Sequence, residues 1–224
     1  MKPFVSALAF VACLLPACAA EEGHRTVEKE SVATYRSAYS GPKHVLVIGK
    51  FANASPYMRG IFSEGPDRLG NQAKTILKTH LSQSGRFNLV DRDNMDEIQQ
   101  ESQISGTEQT LTGAEVVVTG EVTEFGRKTT SDEQLFGIGG RGKKQQAYSV
   151  VSLNVVDVRT SQIVYSVQGA GEYELKDREV LGFGSSSGYD STLNGKVLNL
   201  SVTEAVNKLV EALERGEWSP VKKP

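Results

Sequence analysis

Cysteine is nearly absent from this 224-residue chain, and the two present, Cys13 and Cys18, both lie within its first eighteen positions. No pair remains downstream to form a disulfide or a thiolate metal site, so the folded part must stand on its apolar core alone. A surplus of positive charge is also missing. Lys and Arg number 25 against 27 Asp and Glu, a net charge of −2. No basic excess is available to neutralise a phosphate backbone, so nucleic acid is not an expected partner. Histidine is scarce: His24, His44 and His80 fall in a polar leader, at a domain entrance and on an apolar helical face. None has visible partners for a metal site or a catalytic base. Apolar runs are short as well, since the longest, residues 4–15, cannot cross a bilayer as a stable anchor.

What is present begins with that short run. Lys2 supplies a positive start, and Leu15-Pro16-Ala17-Cys18 closes the segment as a lipobox-like motif. This is the pattern of a secretory signal cleaved between Ala17 and Cys18. The new N-terminal Cys18 is then the expected lipidation site, carrying acyl chains on its sulfur and its amine. Burying acyl chains contributes about 0.8 kcal/mol per CH2, so two or three tether a domain without any spanning helix. Ala19 and Ala20 follow with no Asp directly after Cys18. By resemblance to bacterial lipoproteins, that favours the outer membrane, periplasmic face.

The sequence divides into a signal (1–17), a lipidated N-terminus and flexible tether (18–43), a domain (44–218) and a tail (219–224). The tether is polar and lacks a sustained apolar period. About 180 residues remain for the fold, enough for one well-buried domain. Val45-Leu46-Val47-Ile48 reads as a strand buried on both faces. From Pro66 a helix is expected, with Leu69, Ala73, Ile76, Leu77 and Leu81 at steps of three and four, ending at Gly85. Phe87-Asn88-Leu89-Val90 follows as a strand, and Asp93 is positioned to cap the next helix. Residues 114–125, 148–158 and 163–167 are rich in β-branched side chains. Turn-forming residues 157–162 join the last two as an antiparallel pair. A final helix over 195–215 carries Leu198, Val202, Ala205, Val206, Leu209, Val210 and Leu213 on one broad stripe. The expected fold class is α/β, a layered domain with helices packed on a mixed β-sheet, plus possible β-hairpin extensions.

Three motifs invite a chemical reading and fail it. Gly137, Gly139 and Gly142 fit a GxGxxG spacing, yet the upstream sequence is polar and the downstream sequence is β-patterned. A phosphate cradle needs a strand before the glycines and a helix after them. Asp91, Asp93, Asp96 and Glu97 cluster without the spacing of an EF-hand loop, and helix capping accounts for them. Ser185-Ser186-Ser187 lacks the surroundings of a nucleophile elbow. No catalytic residue, cofactor or metal site can be named, and an enzyme is not expected.

Several segments carry a family likeness together. They are Phe87 to Arg92, Gly113 to Val122, Phe136 to Gly139, Val151 to Val158, Ile163 to Val167, and Glu211 to Trp218. In that order they resemble the CsgG family of curli-secretion lipoproteins over nearly all of residues 44–218, and the lipobox is similar too. The resemblance implies protomers ringed at the outer membrane, with two hairpins each building a β-barrel pore that exports amyloid subunits. Segments 127–147 and 163–191 fall where those hairpins would be. A lipid-facing strand needs about nine to eleven residues with alternate apolar side chains. Segment 127–147 fails that test on both faces, whereas Ile163, Tyr165, Val167, Gly169, Gly171, Tyr173 and Leu175 alternate as one face, with Leu181, Phe183 and Tyr189 available for a return strand. The resulting expectation is a homo-oligomeric outer-membrane lipoprotein for secretion or assembly of a surface polymer such as curli-like amyloid, with subunit contacts from helices 66–84 and 195–215. The alternative is a non-pore periplasmic accessory lipoprotein that regulates or scaffolds an envelope assembly.

Overall fold

The computed structural model describes residues 30–57, 65–133, 141–178 and 192–220. In chain order the elements are β1 (His44–Asn53), α1 (Arg68–Gln83), β2 (Phe87–Val90), α2 (Met95–Ser105), β3 (Val116–Glu133), β4 (Arg141–Asp157), β5 (Ile163–Arg178) and α3 (Leu193–Glu214). The five strands make one mixed sheet in the order β2-β1-β3-β4-β5. β1 pairs parallel with both β2 and β3. β3, β4 and β5 pair antiparallel. The α/β layered architecture is as the sequence implied.

One sheet face makes the core. Leu46, Ile48, Val116, Val118, Val122, Val151, Leu153 and Val155 are buried there under α1 and α3. Their alternates Val45 and Val47 are only half-buried. Strand β1 is therefore covered fully on one face, not on both. The apolar stripe of α3 is spent inside the protomer, with Leu198, Val202, Ala205, Val206 and Leu209 all fully buried. Helix α2, by contrast, contains no buried residue.

Caps fix the ends of α1. Asp67 Oδ1 accepts from the Gly70 amide at 2.8 Å, and its Oδ2 accepts from the Asn53 amide at 2.6 Å, which ties the end of β1 to the start of α1. The Asp93 cap expected for α2 does not form. Asn94 occupies that position without a side-chain cap bond, and Asp93 instead meets Lys74 at 2.7 Å and Lys78 at 3.5 Å. Two lysines from α1 outbid a neutral amide for that carboxylate, because the bonds they offer are charge-assisted. Beside it, Asp91 accepts from the Asp93 amide, and both carboxyl groups are held below their ordinary range.

Helix α3 and strand β5 approach each other closely. A Cβ at Gly169 would overlap the Ser201 carbonyl oxygen and the Ala205 amide, and one at Gly171 would crowd the backbone of Val197 and Ser201. Ser149 on β4 meets Ser201 on α3 at 2.7 Å inside the same contact. Gly169→Ala should thus lower stability by about 1–3 kcal/mol, the range for overpacking a rigid interior. Gly113→Ala, where a Cβ meets nothing within 4 Å, should be near neutral. Urea midpoints of the two variants check this, and equal midpoints would contradict the account of the α3 contact.

Candidate functional site

Cys18 lies outside the described residues, which begin at Glu30. The stretch read as a tether through residue 43 is docked from Glu30 onward. Val32 is buried among core residues at 2% exposure, and Tyr35 packs beside it. Burying one valine contributes roughly 1.5–3 kcal/mol, enough to hold a short segment. Polar bonds set its path. The Glu30 carbonyl accepts from Asn199 Nδ2 at 3.0 Å, and the Ala33 amide donates to Asn207 Oδ1 at 2.9 Å. Both partners sit on α3, so this strap runs along the helix.

A buried arginine clamps the far end of the strap. Arg86 is 5% exposed, donates to Glu214 and to Ser37 Oγ at 2.8 Å each, and lies over the Tyr39 ring at 4.7 Å. Its position between Gly85 and the first residue of β2 gave no signal in the sequence. Above the clamp, the strap, α1 and α3 enclose a polar cleft of about 370 Å³ lined by Glu30, Tyr35, Thr79, His80, Gln83 and Asn199 among others. His80 is 3% exposed. Its Nε2 stands 3.0 Å from both Asn199 Oδ1 and Thr203 Oγ1.

The second feature is an arm formed by the distal halves of β3, β4 and β5. Arg127 pairs with Ala147 and through it with Tyr173; the ladder then continues in register to Asp132, Gly142 and Arg178. The hairpin expected over 127–147 is therefore present as β3 and β4, whose tip, 134–140, lies outside the described residues. At roughly 3.3 Å per residue, β3 continues about 26 Å past Phe125. A polar group closes the core at the arm's base, where Arg127 donates to Asn194 Oδ1 at 3.2 Å at the start of α3.

Among the described residues beyond that base, neither face of the arm carries an apolar band. One face shows Tyr148, Glu172, Lys128, Gln146 and Glu174, with Lys144 pairing Glu174 at 2.6 Å and Gln146 donating to Glu172. The other begins with the Arg127 row and continues with Thr129, Gln145 and Leu175. Tyr165, Val167, Gly169, Gly171 and Tyr173 do share a face, as their alternation implied, but α3 covers it: Val167 is buried, both glycines touch the helix backbone, and Lys196 lies 5.1 Å over the Tyr173 ring. Ile163 leaves that row because of the irregularity between Val155 and Val156, and it is 60% exposed. The return strand sought around Leu181, Phe183 and Tyr189 lies outside the described residues, as does Ser185-Ser186-Ser187.

The remaining sequence candidates do not converge. Gly142 sits in β4, so the glycine run leads into a strand and not a helix. His44 pairs with Glu115 at 2.7 Å at the opposite end of the sheet from the arm. Among the described residues no three His, Cys, Asp or Glu side chains gather as a metal site. No described helix is long and apolar enough to cross a membrane.

Comparison with known proteins places residues 32–223 within the family described as curli production assembly/transport component CsgG. A Neisseria meningitidis serogroup B protein, "Putative lipoprotein NMB1126/NMB1164", is 56% identical over 213 residues, covering 95% of each chain. Among solved structures, a PelC dodecamer from Paraburkholderia phytofirmans matches with a TM-score of 0.37 at 17% identity, covering 76% of this chain and 93% of that one. Lipoprotein GNA1162 from Neisseria meningitidis matches at 0.34 and 13% identity, covering 78% and 100%.

The closed core predicts that the arm is dispensable for folding. Joining Lys128 to Gln146 through an Asn-Gly turn should leave Tm within about 3 °C, since exposed polar pairs contribute at most about 1 kcal/mol each. A loss of cooperative melting in that variant would show that the arm belongs to the folding core.

Proposed function

The chain belongs to the CsgG family, and from that premise we propose that it is a lipid-anchored, oligomeric envelope protein acting in secretion or assembly of a surface polymer such as curli-like amyloid. Cys18 is its membrane contact, at the periplasmic face of the outer membrane. Its work is binding and scaffolding, with no bond made or broken. The observation that carries this reading is the pairing of family membership with a long strand arm whose two faces are polar.

The path of the strap supports the orientation. It runs from Asn199 toward Asn207, down α3 and away from the arm; traced back toward Cys18 it heads for the arm's end of the domain. Residues 19–29 span at most roughly 36 Å when extended. That length suffices for a lipid at Cys18 to lie at the level of the arm. Placing a Lys on a lipid-facing strand costs on the order of 2–4 kcal/mol at the bilayer midplane, so Lys128 and Lys144 keep the arm in water or against protein. A non-pore, accessory role in an envelope assembly follows from that cost. A barrel pore is the second reading, supported by the length of the arm and by the outer edge of β3, which β1 leaves beyond Val122.

Two measurements test the proposal. Cys18→Ala should abolish palmitate incorporation and shift the protein from the membrane fraction to the soluble periplasm; retention in the membrane would refute the anchor. The purified oligomer in planar bilayers should give no large steady conductance. Stable large channels would replace the scaffold reading with the pore.

A further inference from the structure

Among the described residues, strand β5 ends the sheet, with β4 on one side and no strand on the other. Successive residues of a strand send their backbone groups to opposite sides, so half of its amides and carbonyls point away from β4. Such an edge is a template on which another strand can pair. Two of the outward groups of β5 are instead taken by side chains of α3. The Ala170 amide donates to the Glu204 carboxylate, and the Gln168 carbonyl accepts from Lys208 Nζ at 3.0 Å. Glu204 and Lys208 are themselves paired at 2.9 Å, one turn apart on the helix.

This reach depends on Gly169, the residue between the two edge groups. A Cβ there would overlap the Ser201 carbonyl oxygen and the Ala205 amide, so only glycine lets the helix backbone come down onto the strand at that point. From the flank of that contact, Glu204 and Lys208 pass round to the groups on either side of Gly169. Gln168 and Ala170 are otherwise exposed.

We propose that Glu204 and Lys208 form an edge guard that denies a strand of a second copy a place on β5 beside Gly169. A second copy brings a strand able to pair, because β1 leaves the outer edge of β3 past Val122. A parallel strand added to β5 would set one residue opposite Gly169, its carbonyl accepting from the Ala170 amide and its own amide donating to the Gln168 carbonyl. The guard supplies the same two bonds, with a carboxylate oxygen in place of the carbonyl and an ammonium in place of the amide. Both are charge-assisted, and so stronger than the neutral bonds a strand offers in exchange. Burial pushes the Glu204 carboxyl up, but the bonds from Lys208 and the Ala170 amide outweigh it and hold the group below its ordinary range. The acceptor is therefore ionised at neutral pH. An exposed ion pair one turn apart adds little to stability, so its effect here is on pairing. The inference stands on the edge alone and requires neither the lipid nor a polymer.

Two double variants of the full mature chain test the guard. Glu204→Ala with Lys208→Ala removes it. Glu204→Lys with Lys208→Glu keeps an ion pair on the helix but turns an ammonium toward the Ala170 amide and a carboxylate toward the Gln168 carbonyl, so that donor meets donor and acceptor meets acceptor. Sedimentation velocity should show both variants forming species larger than those of the unaltered chain as concentration rises. In those species the amides of Gln168 and Ala170 should exchange about tenfold more slowly than in the dilute variant, as strand pairing requires. Sedimentation of both variants like the unaltered chain at every concentration would overturn the guard. Association of the alanine variant alone would assign the effect to the ion pair and overturn it equally, as would association that leaves the Gln168 and Ala170 amides unprotected.

Discussion

The close approach of α3 to β5 is the constraint on which the rest of this structure depends. Two glycines, Gly169 and Gly171, let helix backbone meet strand backbone, and the Ser149–Ser201 pair satisfies the polar atoms trapped between them. With α3 seated so tightly, its buried leucines and valines close the core, and its outer surface becomes a rail for the strap. Asn199 and Asn207 on that rail hold the segment that leads to Cys18. The same helix begins at Asn194, beside Arg127, and so defines where core ends and arm begins. A side chain at either glycine would shift all three features together.

The elements built from apolar period were legible in the sequence. β2 is found at Phe87–Val90 as read, and α3 differs from its expected span by a residue or two at each end. The lengths of β3, β4 and β5 were not legible, because their distal halves alternate polar with polar and offer no contrast between faces. Their strand identity comes from ladder hydrogen bonds and register, which no single segment encodes. The Tyr165–Tyr173 alternation was visible, but not that its cover is a helix from the chain's own end.

The candidate site was legible in part. Cys18 stands out by residue type and spacing alone. The strap did not, since one buried valine in a polar stretch has no period, and its partners are more than a hundred residues away. Arg86 reads as an ordinary surface cation until Glu214, Ser37 and Tyr39 are brought around it. For His80 a signal did exist: Asn199 and Thr203 are polar residues one turn apart on a helix dominated by apolar ones. A histidine on one helix and a polar step on another are a pairing that only the fold connects.

The functional account separates two jobs that a membrane secretion protein can combine. In the function proposed above, lipid supplies attachment and a polar arm supplies surface for protein partners, so the strands need no bilayer to be stable. Its central claim is that the arm works in water while Cys18 holds the membrane. A nitroxide placed at Lys128 of the lipidated protein in vesicles measures this most directly. The account predicts collision rates with a water-soluble relaxant as high as those of an exposed strand; preferential collision with oxygen, as in the hydrocarbon interior, would contradict it.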